Sequence, residues 1–214
     1  IYGDLDISII DEMPVGRQPV KTQILLPSQR EYAYQLIKNE IAHGHQAFIV
    51  YPLIESDEDE LFKAAVDEYH RIKEEVFPQF KIGLMHGRLK QKDKDDIMKQ
   101  FRDNQISVLI STTVIEVGMD IPNATVVLIE NADHFGLAQL HQIRGRVGRG
   151  ESQSFCILIP ENESNMGNQR LSAMIETNDG FKLAEYDLKQ RGPGDFLGTR
   201  QSGYTGLKLA SLSD

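Results

Sequence analysis

Six short segments rich in apolar and β-branched residues alternate along the chain with segments of helical periodicity. This alternation constrains the fold more than any other feature. Most of the six segments are apolar at consecutive positions, whereas a strand with one face in water alternates apolar and polar residues. Such runs between helices are typical of a parallel sheet covered by helices on both faces, which is an α/β fold. The predicted strands are 20–26, 46–51, 80–85, 106–112, 124–130 and 154–160.

The order of the elements divides the chain into three parts. Residues 1–20 are rich in glycine and proline, which predicts an extended lead-in. Residues 21–160 contain the six strands and read as one α/β domain. Beyond residue 160 two helices follow each other without a strand, so we expect residues 161–214 to form a helical hairpin with an irregular, glycine-rich loop. Helices are predicted at 28–44, 55–77, 90–103, 137–148, 165–178 and 179–192.

The first predicted helix carries signals at both ends. Ser28 and Glu31 have the spacing of a capping box, in which a side chain and a backbone N–H at each position satisfy one another. Gly44 stands where a C-terminal cap belongs.

Composition limits the classes of function. A net charge of -9 argues against a surface that is basic throughout, although a local basic strip remains compatible with it. The single cysteine, Cys156, excludes an internal disulfide and lies in the apolar run 154–160, where a core position is expected. The sequence has no apolar run of about 20 residues, the length needed to span a bilayer. We therefore expect a cytoplasmic protein.

The stretch QIRGRVGRG, residues 142–150, is the strongest candidate site for an anion. At helical spacing Gln142, Arg146 and Arg149 lie near one face, and Arg144 points elsewhere. Arginine binds planar anions through two parallel hydrogen bonds and stays charged. A solvated basic helix end is the alternative, but glycines inside a helix cost about 1 kcal/mol each relative to alanine, so another requirement should explain them.

Two further segments follow predicted strands. STTVIEVGMDIP, residues 111–122, offers hydroxyls and backbone amides that suit phosphate oxygens, or alternatively a helix cap and a tight turn. MHGRL, residues 85–89, follows the strand 80–85. Ligands of open α/β sheets bind outside the carboxyl ends of the strands, so these segments and the arginine stretch could share one edge.

A phosphate cradle is missing. The sequence has no G-x-x-x-x-G-K-[ST] motif and no acidic pair placed at a strand end to hold magnesium. Arginine fingers act on a phosphoryl group that another element holds. The sequence therefore predicts half of a phosphate site.

STTVIEVGMDIPNA and QLHQIRGRVGRG resemble motifs V and VI of superfamily 2 helicases. Together with MHGRL and the tail DLKQRGPGDFLGTRQSG they resemble the RecG family of bacterial, ATP-dependent, fork-remodelling DNA helicases over almost the whole chain. The resemblance implies a RecA-like second helicase lobe followed by a translocation motif. It also implies that the phosphate-binding lysine and the magnesium-binding acids belong to a first lobe, which with an N-terminal wedge domain would be this chain's partner.

The resemblance implies roles in nucleotide chemistry. Arg146 and Arg149 would reach the γ-phosphate of ATP, with Mg²⁺ held by the first lobe, and Gln142 would couple nucleotide to DNA. Gly118 and Asp120 would line the nucleotide side of motif V.

Branched double-stranded DNA, at forks and four-way junctions, is the implied nucleic-acid partner. Thr112 and Thr113 would contact the DNA backbone, and we expect His86, Gly87 and Arg88 to contribute there. Coupling of lobe closure to movement on duplex DNA is implied for Arg191, Arg200 and Gln201. A nucleoid-associated protein of DNA repair and recombination is expected, inactive as an ATPase without the first lobe.

Two other interpretations stay open. The chain could be a non-enzymatic RecA-like docking module whose arginines form structural ion pairs, or the equivalent lobe of an Mfd-type translocase. The six histidines show no spacing typical of a metal site, so no metal is expected to be bound by this chain itself.

Overall fold

The computed structural model describes residues 18–52, 58–112 and 121–191. Within them a six-stranded parallel sheet has the order β1-β6-β5-β2-β4-β3, which confirms the predicted α/β class. The lead-in predicted at 1–20 lies mostly outside the described residues. The strands are β1 (Lys21–Ile24), β2 (Gln46–Val50), β3 (Ile82–Met85), β4 (Val108–Ser111), β5 (Ala124–Glu130) and β6 (Phe155–Ile159).

Helices connect the strands in the order that the periodicity predicts. The second helix continues as one π-helical turn, Ile72–Val76. None of the helices in the described ranges is long and apolar enough to cross a membrane. The helices are α1 (Arg30–Ala42), α2 (Glu58–Arg71), α3 (Gln91–Arg102), α4 (Leu137–Arg144), α5 (Gln169–Glu176) and α6 (Gly180–Arg191).

The sheet separates two apolar cores. Alternate residues of β2 face opposite sides: Phe48 packs with α3 to α6, and Ile49 packs with α1 and α2. A strand buried on both faces gains from apolar residues at every position, which explains the continuous runs in the sequence. Cys156 is fully buried in the first of these cores, as expected, and burial raises its pKa to about 12.

The helical hairpin is formed by α5 and α6. Leu171, Met174 and Leu183 belong to the same apolar core as the sheet. The division at residue 160 stays a prediction, but the hairpin's described residues pack directly on the α/β domain.

The predicted capping box of the first helix is wrong. A 3-10 turn, Pro27–Gln29, precedes α1, so Ser28 lies inside a turn and its hydroxyl faces Glu163 at 3.3 Å. The side chain of Gln29 caps this turn instead, accepting from the Leu26 N–H at 2.9 Å. Gly44 does end α1, with a φ of 84° that favours glycine.

An ion pair fixes the start of α1 to the carboxyl end of β5. Glu130 is 2% exposed, and its two carboxylate oxygens accept from Nε and Nη2 of Arg30 at 2.7 and 3.0 Å. A second ion pair joins Arg71 to Glu68, both in α2. Nη2 of Arg71 also donates to the Tyr34 hydroxyl at 3.1 Å. These bonds hold α1 and α2 against one end of the sheet.

The fourth helix ends earlier than the sequence predicts. Its last residue is Arg144, and Gly145 caps it, whereas the predicted helix ran to 148. Gly148 has a φ of 77°, and a Cβ there would lie 2.7 Å from the Val20 side chain. Its N–H donates to the hydroxyl of Ser154 at 3.1 Å. The chain therefore leaves the helix through a fixed turn.

Replacing Gly148 with alanine should lower the free energy of unfolding by about 1–2 kcal/mol, because an L-residue is strained in the left-handed region. Thermal unfolding followed by circular dichroism measures the change. Gly167→Ala is the matched control, since a Cβ at Gly167 meets nothing within 4 Å. Equal melting temperatures for the two variants would contradict the assignment.

Replacing Glu130 with alanine should cost about 2 kcal/mol, because two charge-assisted hydrogen bonds are lost and Arg30 keeps a partly buried charge. Urea unfolding measures the loss. Glu161→Ala, which removes the partner of His134 from a more exposed pair, should change the stability by less than about 0.5 kcal/mol. A similar cost for both variants would refute a special role for the buried pair.

Candidate functional site

The predicted site residues lie at opposite edges of the sheet. Because β3 and β4 are parallel neighbours, with Met85 paired to Ser111, His86 and Thr112 meet at the carboxyl edge. The turn after α4 lies at the amino edge, where Gly148 contacts Ser154 immediately before β6. The expectation that all three segments share one edge is therefore wrong for the arginine stretch. The reason is topological: α4 starts beyond the carboxyl end of β5 and returns the chain to the amino end of β6.

Arg146 and Arg149 lie in this amino-edge turn, which we call the arginine turn, residues 145–150. Arg146 is 8% exposed, and no hydrogen bond to its guanidinium is formed within the described ranges. Arg149 is half-buried, and its Nε donates to the Gly145 carbonyl at 3.0 Å. Arg146 thus keeps hydrogen-bonding capacity for an anion, and the side chain of Arg149 is held by a bond to the backbone of its own turn.

The backbone of the arginine turn packs against Pro122, near the end of the segment STTVIEVGMDIPNA. A Cβ at Gly150 would lie 2.8 Å from the carbonyl oxygen of Pro122. Gly118 and Asp120 precede Pro122 in the sequence but lie outside the described residues. The glycines at 148 and 150 are thus demanded by the fold itself, whatever the turn binds.

Gln142 is exposed on α4. Gln142 does not share a helical face with Arg146 and Arg149, since the helix ends before Arg146. Its coupling role stays a prediction.

Arg144 has a different environment, in agreement with its separation from the other arginines in the sequence analysis. It is 3% exposed and Nη1 donates to the Met174 carbonyl of α5 at 2.6 Å. Burial lowers the pKa of its guanidinium. The side chain fastens α4 to the hairpin.

A second contact joins α4 to the hairpin. A Cβ at Gly180, the first residue of α6, would lie 2.7 Å from Nε2 of His141. Burial, with Arg144 as a smaller cause, lowers the pKa of His141, so the ring stays neutral at pH 7. The helix that leads into the arginine turn is thus packed tightly on both α5 and α6.

At the carboxyl edge, His86, Gly87 and Arg88 form the turn after β3. Gly87 and Arg88 are exposed, whereas Nδ1 of His86 is buried without a hydrogen-bond partner. Burial lowers the pKa of His86, and the positive charges of Arg88 and Lys94 lower it further. The exposed cation and backbone suit a polyanion, and the imidazole is neutral.

Thr112 is less accessible than its predicted DNA contact suggests. It is 6% exposed, and its N–H donates to the Met85 carbonyl at 3.2 Å. Thr113, Arg200 and Gln201 lie outside the described residues, and Arg191 is described only as the last residue of α6. Their roles stay predictions.

A cluster of possible metal ligands, not expected from the sequence, occurs after β5 and β6. Asp133, His134 and Glu161 bring three donor atoms within 4.8 Å of one another. The Asp133 oxygens accept from the Glu161 N–H at 2.8 Å and from Asn165 Nδ2 at 2.6 Å. These hydrogen bonds account for the cluster, and we assign no ion to it.

The sequence analysis missed Phe62, whose ring contacts both His86 and Arg88. It also missed Glu130 as the buried partner of Arg30. An acidic residue closing an apolar run was a usable signal for Glu130. A phenylalanine inside an amphipathic helix gave no such signal.

Two family models match the chain. One, described as the helicase conserved C-terminal domain, matches residues 28–151. The other, described as domain 3, C-terminal, of the ATP-dependent DNA helicase RecG, matches residues 177–214. The first model covers β2 to β5 and the arginine turn, and the second covers α6 and the tail.

Curated relatives match nearly the whole chain. It is 52% identical over 212 residues to the ATP-dependent DNA helicase RecG of Synechocystis sp., and 50% identical over 211 residues to that of Thermotoga maritima. The matches cover 99% of this chain but 26% and 27% of the relatives. The chain thus spans about a quarter of the length of these relatives.

Solved structures show the same fold. RecG bound to a three-way DNA junction matches with a TM-score of 0.73 and 48% identity, over 87% of this chain and 24% of that chain. The second domain of a DEAD-box helicase bound to an RNA duplex matches with a TM-score of 0.57 at 19% identity, over 75% of this chain and 62% of that chain. With its parallel sheet and a family model that covers four of the six strands and the arginine turn, the chain belongs to the helicase conserved C-terminal domain family.

Proposed function

We propose that this chain is the second motor lobe, with the translocation motif, of an ATP-dependent double-stranded DNA translocase of the RecG type. The observation that carries the proposal is Arg146, a residue that is 8% exposed and whose guanidinium makes no hydrogen bond within the described residues. A guanidinium that is not engaged within the chain keeps its hydrogen bonds for an anion, and its planar fork suits phosphate oxygens. A triphosphate held by another lobe has the required charge and geometry.

The arginine turn would act on the terminal phosphate of ATP. Arg146 and Arg149 would hold charge that develops on the transferring phosphoryl group, which is worth about 10³-fold or more in rate for an arginine finger. Both sit on a backbone fixed by Gly148 and Gly150, so little reorganisation is needed when the anion arrives. Mg²⁺ would neutralise charge on the phosphates, held by the other lobe, because this sequence has no acidic motif suited to it.

The opposite edge would contact DNA. Gly87 and Arg88 offer an exposed amide and a cation, the groups that position a protein on a phosphate backbone without reading bases. The arrangement separates the proposed nucleotide contact from the proposed DNA contact by the length of the strands. Closure of two lobes around ATP would then move the DNA-binding edge as a rigid body.

The hairpin would transmit this movement. Arg144 and His141 tie α4 to α5 and α6, so a displacement of the arginine turn is passed to the hairpin without an intervening flexible segment. We therefore propose that lobe closure drives the translocation motif, and that the whole enzyme remodels forks and branch-migrates junctions in DNA repair and recombination. Forks and four-way junctions are its proposed substrates, a first lobe and wedge domain its proposed partners, and the bacterial nucleoid its proposed location.

A docking module without enzymatic activity is the alternative. Arg144 does behave as a structural arginine, as that alternative requires. Arg146 does not, because no acidic partner binds it among the described residues. An Mfd-type lobe is disfavoured by the match of residues 177–214 to the RecG model.

Arg149→Ala and Arg146→Ala should each lower DNA-stimulated ATP turnover about 10³-fold, with a smaller effect on nucleotide binding, because the finger acts on the transition state. The assay uses a chimera in which this chain replaces the matching part of Synechocystis RecG. A three-way junction is the DNA.

Arg102→Ala is the matched control, since Arg102 is an exposed arginine at the end of α3 and belongs to neither proposed contact site. It should leave turnover unchanged. If the Arg149 and Arg146 variants also turn over within about twofold of the parent chimera, the arginines are not fingers and the docking module becomes the better interpretation.

A further inference from the structure

One aromatic side chain of α2 lies against the turn that follows β3. The ring centroid of Phe62 is 4.7 Å from that of His86, with the planes at 65°, an edge-to-face arrangement. The guanidinium carbon of Arg88 lies 4.9 Å from the centroid of the same ring. Phe62 thus contacts both side chains at the proposed DNA-binding edge, on either side of Gly87.

Core packing does not account for Phe62. The ring is half-buried and belongs to neither of the two apolar cores, nor to the partly buried residues packed on them, as far as the described residues show. Its described ring contacts are the imidazole and the guanidinium. The position of the Phe62 ring is instead explained by its contacts with His86 and Arg88.

The contact with Phe62 orients the His86 ring, which no hydrogen bond at Nδ1 does. Nδ1 of His86 is buried and has no partner, so that atom does not fix the ring by a hydrogen bond. The edge-to-face contact with Phe62 restricts the ring instead. With a lowered pKa the imidazole is neutral, so it adds no repulsion against the nearby Arg88.

The contact with Phe62 limits the conformational freedom of the long, exposed Arg88 side chain. Guanidinium groups are attracted to aromatic faces, and an arginine restrained before binding loses less conformational freedom when it meets a phosphate. Aliphatic side chains of similar size would fill the space but would not attract the cation.

We propose that Phe62 is a positioning residue for nucleic-acid binding: its ring holds Arg88 and His86 in place at the carboxyl end of β3, so that Arg88 meets a backbone phosphate already oriented. The proposal rests on the proposed function, because it assumes that this edge contacts DNA. It adds a residue on α2 that acts through Arg88 and does not itself touch DNA.

A double-mutant cycle tests this role in the Synechocystis chimera described above. Phe62→Leu should weaken binding of a fluorescein-labelled duplex about two- to fivefold by fluorescence anisotropy, the range that an exposed cation–π contact corresponds to. Phe62→Tyr, which keeps an aromatic face, should restore binding. In an Arg88→Gln background, Phe62→Leu should have no further effect, because residues that act through one another are not additive.

Salt dependence provides the second readout. Arg88→Gln should reduce the slope of log affinity against log salt by about one, as expected for one lost phosphate contact. Phe62→Leu should change the slope little, since the charge remains. Lys73→Gln is the control: Lys73 also lies over an aromatic ring of this helix segment, Tyr69 at 5.6 Å, but Tyr69 bonds to Ile82 at the start of β3. It should leave binding unchanged.

The outcomes separate the two proposals. If Arg88→Gln leaves both affinity and salt slope unchanged, the proposed DNA contact at this edge is wrong, and the role of Phe62 falls with it. If Arg88→Gln weakens binding but Phe62→Leu has no effect, or an equal effect in both backgrounds, only the positioning role is overturned. Melting temperatures of all variants identify any loss that comes from unfolding.

Discussion

The buried guanidinium of Arg144 is the interaction on which the rest of the arrangement depends. A cation out of water must be hydrogen-bonded, and Arg144 satisfies this by donating to the Met174 carbonyl, with Thr22 of β1 at 3.4 Å. One side chain thereby joins α4, α5 and the edge strand β1. The arginine turn begins directly after it, so the position of Arg146 and Arg149 is inherited from this bond.

The path of α4 separates the two proposed contact sites. The helix begins beyond the carboxyl end of β5 and ends at the amino end of β6, so the arginine turn and Arg88 lie at opposite edges of the sheet. Arg146 is 8% exposed and lies in a turn whose glycines are required by the fold, whereas Arg88 is exposed beside Gly87. The net charge of -9 is compatible with both, because neither place needs a basic surface around it.

The sequence predicts the elements of this fold well because burial on both faces of a parallel sheet demands continuous apolar runs. It predicts their ends less well. The capping box of Ser28 and Glu31 has a legitimate spacing, yet Pro27 starts a 3-10 turn that shifts the cap to Gln29. Helical spacing predicted that Gln142, Arg146 and Arg149 lie on one face. The helix ends at Arg144, however, and Gly145 and Gly148 lead the chain into a turn.

The distribution of the site over two edges could not be deduced from spacing, because it depends on where a crossover helix stops. Arg144 is the last residue of α4 and bonds to the hairpin, so its environment differs from that of Arg146 and Arg149, which lie beyond the helix. Phe62 was beyond reach, since it meets residues after β3 that are distant in the chain. Glu130 could be suspected as a buried acid at the end of an apolar run, but its partner at the start of α1 could not be identified.

The pairing of β1 with β6 has a consequence for how the molecule is made. Among the described residues β1 is the first strand and its neighbour in the sheet, β6, is the last, with Thr22 opposite Cys156. During synthesis the remaining strands emerge before β1 can pair. A long loop must close, at an entropic cost, before the β1–β6 hydrogen bonds can stabilise the sheet. Until β6 leaves the ribosome, the apolar edge of β5 is uncovered, so the central strands are the segment for which a chaperone would compete.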